Sequence, residues 1–459
     1  MTTPTKTIWV VLLVAAGAIV WLVITHRPLS PSTEEKGPIC LSGGHVRGGP
    51  EGFAGCGWSI EPDTKNAVRE AFRQSGATSD AKPSVTFIFY TSQHSPEAIL
   101  QALSETAGSR PRVCGWTSDY GVVTSDGYHT SPTGTVGCLS LRLPGMVVGV
   151  GGADFSEETD PPMAAKLAFQ RAVQDAGQRA PGRLPSMIIL SSTHHGYEEE
   201  ILQVLDAQTG GTVPVMGGTA TGIREGSLIA NDRIIRQGLT VAVFYADLPF
   251  AWAIRGGFDR TSKWGVITQA DGRVVFQIDG RPALDVYDEW SGGRIREAMS
   301  RGEDISRFTG LYPLCRLLES RGKVHNLFVH AWPPPDPPVP GALQTSADLH
   351  KGDVVYFSEG SWNILLNRIA ALPRLAQDGP AAEVPTAAAL FVFCEAVLKN
   401  IPPDQRDQIV FLVNRSLGGI PWIGMFTWGE EGNFSGFGNR HGNLLTSITL
   451  FPGALEEEH

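Results

Sequence analysis

Cysteine is scarce in this chain, with six residues among 459. They are too few and too scattered to build a disulfide scaffold. Basic charge is not in excess either, because 47 acidic residues face 37 basic ones and give a formal net charge of -10. Such a chain has no long-range field that attracts phosphate backbones, so we expect no nucleic-acid partner. Its 42% hydrophobic and 18% charged residues exclude general disorder, and its length allows about two large domains.

One long uncharged run lies near the amino terminus, from Thr7 to Thr25. At about 1.5 Å per helical residue it nearly spans a hydrocarbon core of roughly 30 Å, and Trp9 and Trp21 near its ends suit the interface. The run therefore predicts a membrane helix within an anchor over residues 1–27. A cleaved signal peptide is the alternative, although no small-x-small cleavage pattern follows. Because a short leader usually stays inside, we predict a single-pass membrane protein whose main body lies outside the cytoplasm.

Residues 28–62 are rich in glycine, proline and serine and show no sustained period, as expected for a tether. Two of the cysteines, Cys40 and Cys56, lie in this segment. In an oxidising compartment they could form a disulfide, and otherwise they are two unpaired thiols. The sequence leaves both possibilities open.

An internal duplication follows the tether. Residues 83–121 and 185–222 align without a gap, and Gly115 falls on Gly217. Each copy has the pattern of a helix, a strand, a helix, a strand, a glycine turn and further strands. The strands are continuous apolar runs, which fits burial on both faces. We therefore predict an amino-terminal α/β domain over residues 63–257 that consists of two copies of one unit.

The glycine turns of the two copies form the first candidate ligand site. GWTSDYG (115–121) and GGTATG (217–222) follow short strands, and open α/β sheets place ligands at the carboxyl ends of strands. Glycine lets backbone amides approach a ligand, and short polar side chains supply hydrogen bonds. On composition alone, simple tight turns explain both segments at least as well. The candidate residues are Trp116, Thr117, Ser118, Gly217, Gly218 and Thr219.

Residues 258–459 predict a second domain of similar size, in which strands alternate with helical stretches. The predicted fold class is therefore α/β, in the mixed α+β sense, with two similar-sized domains of mixed sheets behind a membrane helix. PPPDPPVP at 333–340 predicts an exposed extended loop, which is either a stiff connection or a proline-motif docking site.

The Gly- and Asn-rich stretch 429–443 predicts a long loop between two apolar strands. A loop of that length in a compact domain is often functional, and a hairpin without a ligand is the alternative. Its polar groups could together bind a zwitterion, with Glu430 facing an ammonium group and Arg440 or His441 facing a carboxylate. Asn443 is the fourth candidate.

Several of these motifs resemble the FIST sensory domain, named for F-box and intracellular signal transduction proteins. VCGWTSDYG and VPVMGGTATG look like the two glycine-containing strand ends of its amino-terminal half. GRVVFQIDGRPALDVYDEW (272–290) and PWIGMFTWGEEGNFSGFGNRHGNLLTSITLF (421–451) resemble segments of its carboxyl-terminal half. The resemblance covers residues 63–451, and it favours three residues over their neighbours in the second candidate loop, namely Glu430, His441 and Asn443.

Two positions depart from the family pattern. Trp116 stands where family members often carry cysteine, so any role of that thiol is absent here. After Cys394 the chain continues EAVLKN, whereas the family often has an arginine shortly after this cysteine. If that arginine holds a ligand carboxylate in other members, another group must do so in this chain.

The resemblance implies a sensory protein that binds a small ligand such as an amino acid and passes the signal to a protein partner. Trp116 would then offer a stacking wall and Glu430 an ionic anchor. Two alternatives stay open at this point. One is a haem-dependent nitric oxide sensor, which the family also suggests, and the other is a protein-binding adaptor without a small ligand.

No catalytic constellation accompanies these motifs. The sequence has no Gly-x-Ser-x-Gly elbow and no phosphate-cradling loop, so we expect no enzyme activity. Metal-ligand spacing is also poor, because His194 and His195 are adjacent and His325 and His330 would point to opposite faces of one strand. We therefore expect no metal and no resident cofactor, with haem as the alternative named above.

Overall fold

The structure of the chain is a computed structural model. Two compact units are present, Met1–Cys40 and Leu41–His459. The residues that the structure describes are 9–15, 18–24, 42–49, 51–108, 110–156, 159–177, 182–193, 196–222, 226–378, 381 and 383–453.

The described elements are numbered in chain order. The strands are β1 (Trp9–Ala15), β2 (Ala18–Ile24), β3 (Ser42–Gly49), β4 (Gly52–Ser59), β5 (Val85–Tyr90), β6 (Val113–Thr117), β7 (Val122–Thr124), β8 (Gly127–His129), β9 (Val136–Arg142), β10 (Val147–Asp154), β11 (Met187–Ser192), β12 (Val215–Ala220), β13 (Leu228–Ala230), β14 (Arg233–Ile235), β15 (Gly238–Tyr245), β16 (Ala251–Gly256), β17 (Phe258–Asp271), β18 (Val274–Ile278), β19 (Arg281–Pro282), β20 (Leu314–Ser320), β21 (Lys323–Val329), β22 (Ala331–Trp332), β23 (Leu343–Thr345), β24 (Val354–Gly360), β25 (Thr386–Cys394), β26 (Trp422–Phe434), β27 (Gly438–Gly442) and β28 (Leu445–Pro452). The helices are α1 (Thr64–Gln74), α2 (Pro96–Ala107), α3 (Pro161–Ala176), α4 (Glu198–Thr209), α5 (Ala283–Ser291), α6 (Arg294–Ser300), α7 (Ile305–Thr309), α8 (Trp362–Gln377), α9 (Glu395–Asn400) and α10 (Asp407–Leu417).

The amino-terminal unit contains the antiparallel pair β1 and β2. This differs from the single helix that the sequence predicts over residues 7–25. Both strands are rich in valine, isoleucine and leucine, and β-branched side chains favour extended backbone, which the length argument for a helix does not consider. Within the described ranges, no helix is both long and apolar enough to cross a membrane. The membrane anchor and its orientation remain predictions.

The second half of the predicted tether is ordered. β3 and β4 form a hairpin, and β4 pairs with β9 at the edge of a seven-stranded sheet. Its glycines make the segment look like a linker in sequence, but they are what allows α1 to pack directly on β4. Cys56 is a buried free thiol in β4, whereas Cys40 lies outside the described residues.

Three parts of the larger unit share one strand order. In the first, β5 pairs parallel with β6 and antiparallel with β9, and β9 pairs antiparallel with β4. β11, β12, β15 and β10 repeat this arrangement, and so do β25, β26, β28 and β16. We call these parts the first repeat (52–142), the second repeat (147–245) and the third repeat (251–256 with 362–452). The sequence predicts the first two copies and does not indicate the third.

A helix covers the same two strands in each repeat. α1 packs on β4 and β9, α3 on β10 and β15, and α8 on β16 and β28. Glycine in the first strand permits this contact, because a Cβ atom at Gly57 would lie 2.1 Å from the Ala71 carbonyl oxygen and one at Gly151 would lie 2.2 Å from that of Ala168. Gly257, directly after β16, faces the backbone of α8 in the same way, at 2.9 Å.

The third repeat is interrupted between β16 and α8 by an eight-stranded sheet in the order β21-β20-β24-β17-β18-β23-β22, with β19 beside β18. We call residues 258–360 the inserted sheet. The inserted sheet starts at residue 258, and residues 362–452 then return to the sheet of the second repeat through the pairing of β26 with β12. The domain boundary after residue 257 stays a prediction. The mixed α/β class is confirmed, and the larger sheet has eleven strands.

Candidate functional site

Each repeat ends its central pair of parallel strands on a threonine. Tyr90 lies opposite Thr117 in the first repeat, and Ser192 lies opposite Thr219 in the second. In the third repeat the partner of Cys394 is Thr427. A helix begins shortly after the first strand of each pair, so polar backbone and side-chain groups gather at these strand ends.

A cavity of about 330 Å³ opens at the strand ends of the third repeat, between β25, β26 and the inserted sheet. We call it the strand-end cavity. Side chains of both signs, aromatic rings and amides line it together. The lining residues are Tyr120, Ser306, Arg307, His330, Trp332, Ser346, Cys394, Glu395, Ala396, Lys399, Thr427, Trp428, Asn443 and Leu444.

One wall of the strand-end cavity is a charged cluster on α9. Glu395 forms an ion pair with Lys399 one turn later, and the indole N–H of Trp428 donates to the same carboxylate. Burial by itself would lower the pKa of Lys399, but hydrogen bonds to Glu395 and Tyr120 outweigh it and raise this pKa above its ordinary value. Burial raises the pKa of Tyr120 to about 12, and the hydrogen bond with Glu395 is the second contribution in the same direction. The wall therefore presents a fixed positive charge beside a buried carboxylate.

The opposite wall belongs to the inserted sheet. His330 is buried, its ring lies 4.9 Å from that of Trp332, and its Nε2 lies 3.1 Å from Thr309 Oγ1. Burial lowers the pKa of His330 to about 4, so this imidazole is neutral at pH 7. Arg307 lies exposed at the rim and makes no ion pair with the described residues. This side of the cavity thus combines a neutral imidazole, an indole and a free cation.

The hairpin of β26 and β27 forms the floor behind the strand-end cavity. Glu430 is fully buried, accepts a hydrogen bond from Thr427 at 2.8 Å and another from the Leu445 amide at 3.0 Å. Burial raises the pKa of Glu430 to about 8. Asn443 reaches the cavity and donates to the Ser346 carbonyl oxygen at 3.3 Å.

A second group of charges lies beside this floor, at the start of α4. We call Glu198, Glu199, Arg273, Asp348, Glu431 and His441 the acidic cluster. Arg273 bonds to Glu198 at 2.6 Å, to Glu199 at 3.0 Å and to Asp348 at 3.3 Å. The cluster therefore ties the second repeat to the inserted sheet.

His441 connects the acidic cluster to the third repeat. Its Nδ1 lies 3.1 Å from Glu431 Oε1, and its Nε2 lies 3.1 Å from the Ser346 carbonyl oxygen, which can only accept. Burial alone would lower the pKa of His441, but the neighbouring carboxylates, Glu199 foremost, outweigh it and raise this pKa to about 10. Glu198, Glu199 and His441 each place one potential metal-ligand atom within 4.8 Å of the others. The arrangement is one that could hold a cation.

The residues predicted at the first glycine turn do not line the strand-end cavity. Trp116 is fully buried, with its ring 4.8 Å from that of Phe89, so it is a core side chain and not a stacking wall. The Thr117 hydroxyl accepts a hydrogen bond from the Ser227 amide at 3.1 Å. Ser118 donates to the Gly121 carbonyl and accepts the amide of Phe426, which fastens the first repeat to β26.

The glycines predicted at the second turn serve strand packing. A Cβ atom at Gly217 would lie 1.8 Å from the Leu190 carbonyl oxygen, and one at Gly218 would lie 2.4 Å from the Thr427 side chain. Their close approach is therefore to neighbouring strands and not to a ligand. Thr219 lies beside the acidic cluster, and its hydroxyl donates a hydrogen bond to Glu198 at 3.3 Å.

Most residues of the strand-end cavity are not among the site residues predicted from the sequence, with the exception of Asn443. A signal was present in EAVLKN, where Glu395 and Lys399 are four residues apart, but that spacing is equally typical of an exposed helical ion pair. Lys399 lies five residues after Cys394, in the segment where the resembling family often has an arginine, and it places a positive charge at the cavity together with Arg307. Arg307, His330 and Trp332 come from the inserted sheet, about 60 to 90 residues earlier, and no local pattern connects them to α9.

A larger groove lies elsewhere in the described part of the chain. It has a volume of about 670 Å³ and is lined by residues such as Pro83, Arg110, Arg112 and Val113. These residues lie at the amino ends of β5 and β6, opposite to the strand ends. Ligands of α/β sheets bind at the carboxyl ends of strands, so we base the candidate site on the smaller strand-end cavity.

Two comparisons with known proteins bear on this site. The chain is similar to the uncharacterized protein MJ1623 of Methanocaldococcus jannaschii, with 32% identity over 97 residues, which cover 20% of this chain and 18% of that protein. Residues 84–281 match the family model of the FIST N domain. This match runs from β5 through the second repeat into the start of the inserted sheet. Residues 84–281 are therefore a FIST N domain, and FIST is a family of sensory domains.

Proposed function

We propose that the protein is a non-enzymatic sensor that binds a small amino-acid-like ligand in the strand-end cavity and transmits the binding to a protein partner. The observation that carries this proposal is the composition of the cavity. Two cations, Arg307 and Lys399, and one buried carboxylate, Glu395, face a space of about 330 Å³ walled by indole rings. That volume suits a ligand of metabolite size.

The recognition chemistry follows from the positions of the charges. The ligand carboxylate would bind Arg307, whose planar guanidinium matches a carboxylate with two hydrogen bonds, and Lys399 would add attraction. An ammonium group would face the Glu395 carboxylate, which is an acceptor. The ligand side chain would lie between Trp332 and Trp428, where burial of apolar surface adds affinity.

The two walls of the cavity would transmit the signal. Glu395, Lys399 and Trp428 belong to the third repeat, whereas Arg307 and Trp332 belong to the inserted sheet. A ligand that contacts both walls favours the arrangement in which they are close, and such differential affinity is what shifts a conformational equilibrium. A partner that contacts both parts would detect the shift. We propose that residues 7–25 anchor this sensor to a membrane.

The first experiment measures thermal unfolding and calorimetric binding of the full chain with a panel of free amino acids and small dicarboxylates. A true ligand at about 100 times its dissociation constant stabilises the folded chain by about 2.7 kcal/mol. Arg307→Ala removes the rim cation, and we expect affinity to fall about tenfold or more. Arg415→Ala is the matched control, because Arg415 is an exposed helical arginine that does not line the cavity.

Other outcomes would replace the proposal. A Soret band after reconstitution with haem, together with no response to any amino acid, would favour the haem sensor. Binding to a partner that is lost on deletion of residues 333–340, with no ligand response, would favour the adaptor. Equal affinities of the Arg307→Ala and Arg415→Ala variants for a ligand that does bind would show that the ligand occupies a different site.

A further inference from the structure

We propose that the acidic cluster holds one divalent transition-metal ion, with Glu198, Glu199 and His441 as ligands and Glu431 as a fourth. The site joins three parts of the fold. Glu198 and Glu199 begin α4 of the second repeat, whereas Glu431 and His441 face each other across β26 and β27 of the third repeat. Arg273 reaches in from the inserted sheet.

The ligand atoms already lie within the range that one ion bridges. One oxygen each from Glu198 and Glu199 and one ring nitrogen of His441 are all within 4.8 Å of one another. Glu431 Oε1 lies 3.1 Å from His441 Nδ1 and 3.5 Å from the Thr219 hydroxyl, which in turn lies 3.3 Å from Glu198. Metal–oxygen and metal–nitrogen bonds of about 2 Å fit between atoms at these separations with only small shifts of the side chains.

An unpartnered carboxylate oxygen supports a cation-binding site. Glu431 is fully buried, and its Oε2 has no hydrogen-bond partner among the described residues. Buried carboxylates are normally hydrogen-bonded, ion-paired or bound to a metal, because desolvation of an unsatisfied charged group is costly. A metal ion beside Glu431 Oε1 and Oε2 would satisfy both oxygens.

The second nitrogen of His441 is arranged as it is in metal sites. Nε2 donates its hydrogen to the Ser346 carbonyl oxygen at 3.1 Å. Metal-bound histidines typically donate their other ring N–H to a backbone carbonyl or carboxylate, which fixes the tautomer and the ring orientation. Binding of the ion would release the Nδ1 proton that His441 donates to Glu431, and the Nδ1 lone pair would then ligate the ion.

The charges of the described residues also favour a cation. Glu198, Glu199, Asp348 and Glu431 are four carboxylates, and Arg273 is the permanent cation that contacts three of them. Arg273 bonds to Oε2 of each of the two α4 glutamates, as a residue that orients ligands would. Oxygen atoms of a carboxylate retain lone pairs when they accept one hydrogen bond, so these bonds do not prevent ligation.

The ligand set selects the class of metal. One imidazole with several carboxylates suits zinc or manganese, whereas magnesium and calcium prefer oxygen ligands alone. Access is available from one side, because the side chain of Glu199 is 26% exposed and that of Asp348 is 32% exposed. This inference does not depend on the proposed function, since none of the four ligands lines the strand-end cavity.

The test uses the full chain without a histidine tag, stripped with a chelator and titrated with ZnCl₂ and with MnCl₂ in a calorimeter at pH 7. We expect one ion per chain and little response to MgCl₂. Glu199→Gln keeps the shape of the side chain and should weaken zinc binding at least about tenfold. Glu200→Gln is the matched control, because Glu200 is the next residue of α4 and is exposed.

Two results would overturn the proposal. One is a folded, stripped chain that binds neither zinc nor manganese, which would leave the acidic cluster as an ion-pair network only. The other is equal zinc affinity in the Glu199→Gln and Glu200→Gln variants, which would place any bound metal elsewhere. Thermal unfolding of each variant identifies loss of fold, and Glu199 is chosen because its partial exposure makes it the ligand whose replacement disturbs packing least.

Discussion

At the scale of single residues, several side chains that the sequence predicts in a ligand site are buried inside the protein. Trp116, a predicted stacking wall, is enclosed by Phe87 and Phe89 in the core. Glu430 and His441 lie deeper than expected and are already hydrogen-bonded by protein groups. Sequence reasoning finds such polar residues because they are unusual between apolar strands, but it cannot tell whether a ligand or the protein itself satisfies them.

His330 allows a prediction on pH dependence. Its folded pKa of about 4 lies below the ordinary value of 6.5 because of burial, and Asp304 and Lys399 act on it in opposite directions. Between those pH values the unfolded chain binds a proton that the folded chain does not, so stability present at pH 7 is lost as pH falls. This contribution amounts to about 2 kcal/mol between pH 7 and pH 5.

The measurement is urea denaturation of the full chain and of His330→Gln across this pH range. The variant should lose less stability than the parent on acidification. His94, His129 and His325, whose pKa values partial or full burial also lowers, account for the pH dependence of stability that remains in the variant. His350→Gln, at an exposed position, is the control for the substitution itself. Parallel curves for the parent and His330→Gln would contradict the prediction.

At the scale of elements, sequence similarity found two repeats where the structure has three. The first two copies retain matching strands and turns in one uninterrupted order, so they align. The third copy is divided by the inserted sheet between β16 and α8, and its helices α9 and α10 replace one longer helix. What it keeps is the order and direction of strand pairing, which depends on backbone hydrogen bonds and leaves little trace in side-chain identity.

The glycines beneath the covering helices give a prediction for one such element. Gly151→Ala places a methyl group 2.2 Å from the Ala168 carbonyl oxygen of α3 and 2.4 Å from the Ala172 amide, neither of which can rotate away. We expect the free energy of unfolding to fall by about 2 to 3 kcal/mol. Gly210→Ala is the control, because its surroundings are open and only its positive φ of 64° opposes a side chain.

The free energy of unfolding of Gly210→Ala should fall by about 1 kcal/mol, because only the left-handed backbone conformation opposes the new side chain. Chemical denaturation of both variants at one pH makes the comparison. Equal losses of stability in the two variants would mean that α3 does not pack closely on the backbone of β10.

Gly57→Ala, beneath α1, should destabilise the fold as Gly151→Ala does, because its Cβ would lie 2.1 Å from the Ala71 carbonyl oxygen.

At the scale of the whole molecule, the repeats are not independent bodies. β26 pairs with β12 of the second repeat and with β7 of the first, so one strand of the third repeat borders both others. Phe451 lies 6.1 Å from Phe87 and 5.6 Å from Phe244, which brings one aromatic ring from each repeat into a common core. The two-domain organisation predicted from sequence can therefore be tested by separating its parts.

Residues 42–257 expressed alone lose β26, β28 and the aromatic ring of Phe451. The edge of β12 and the apolar face around Phe87 and Phe244 are then exposed to water, and an unpaired strand edge is prone to association. We expect this fragment to show no cooperative unfolding transition, whereas co-expression with residues 258–459 should restore a complex that unfolds near the temperature of the intact chain. A fragment that unfolds cooperatively by itself at that temperature would mean that the first two repeats hold a complete core, and that β26 joins a sheet which is already stable without it.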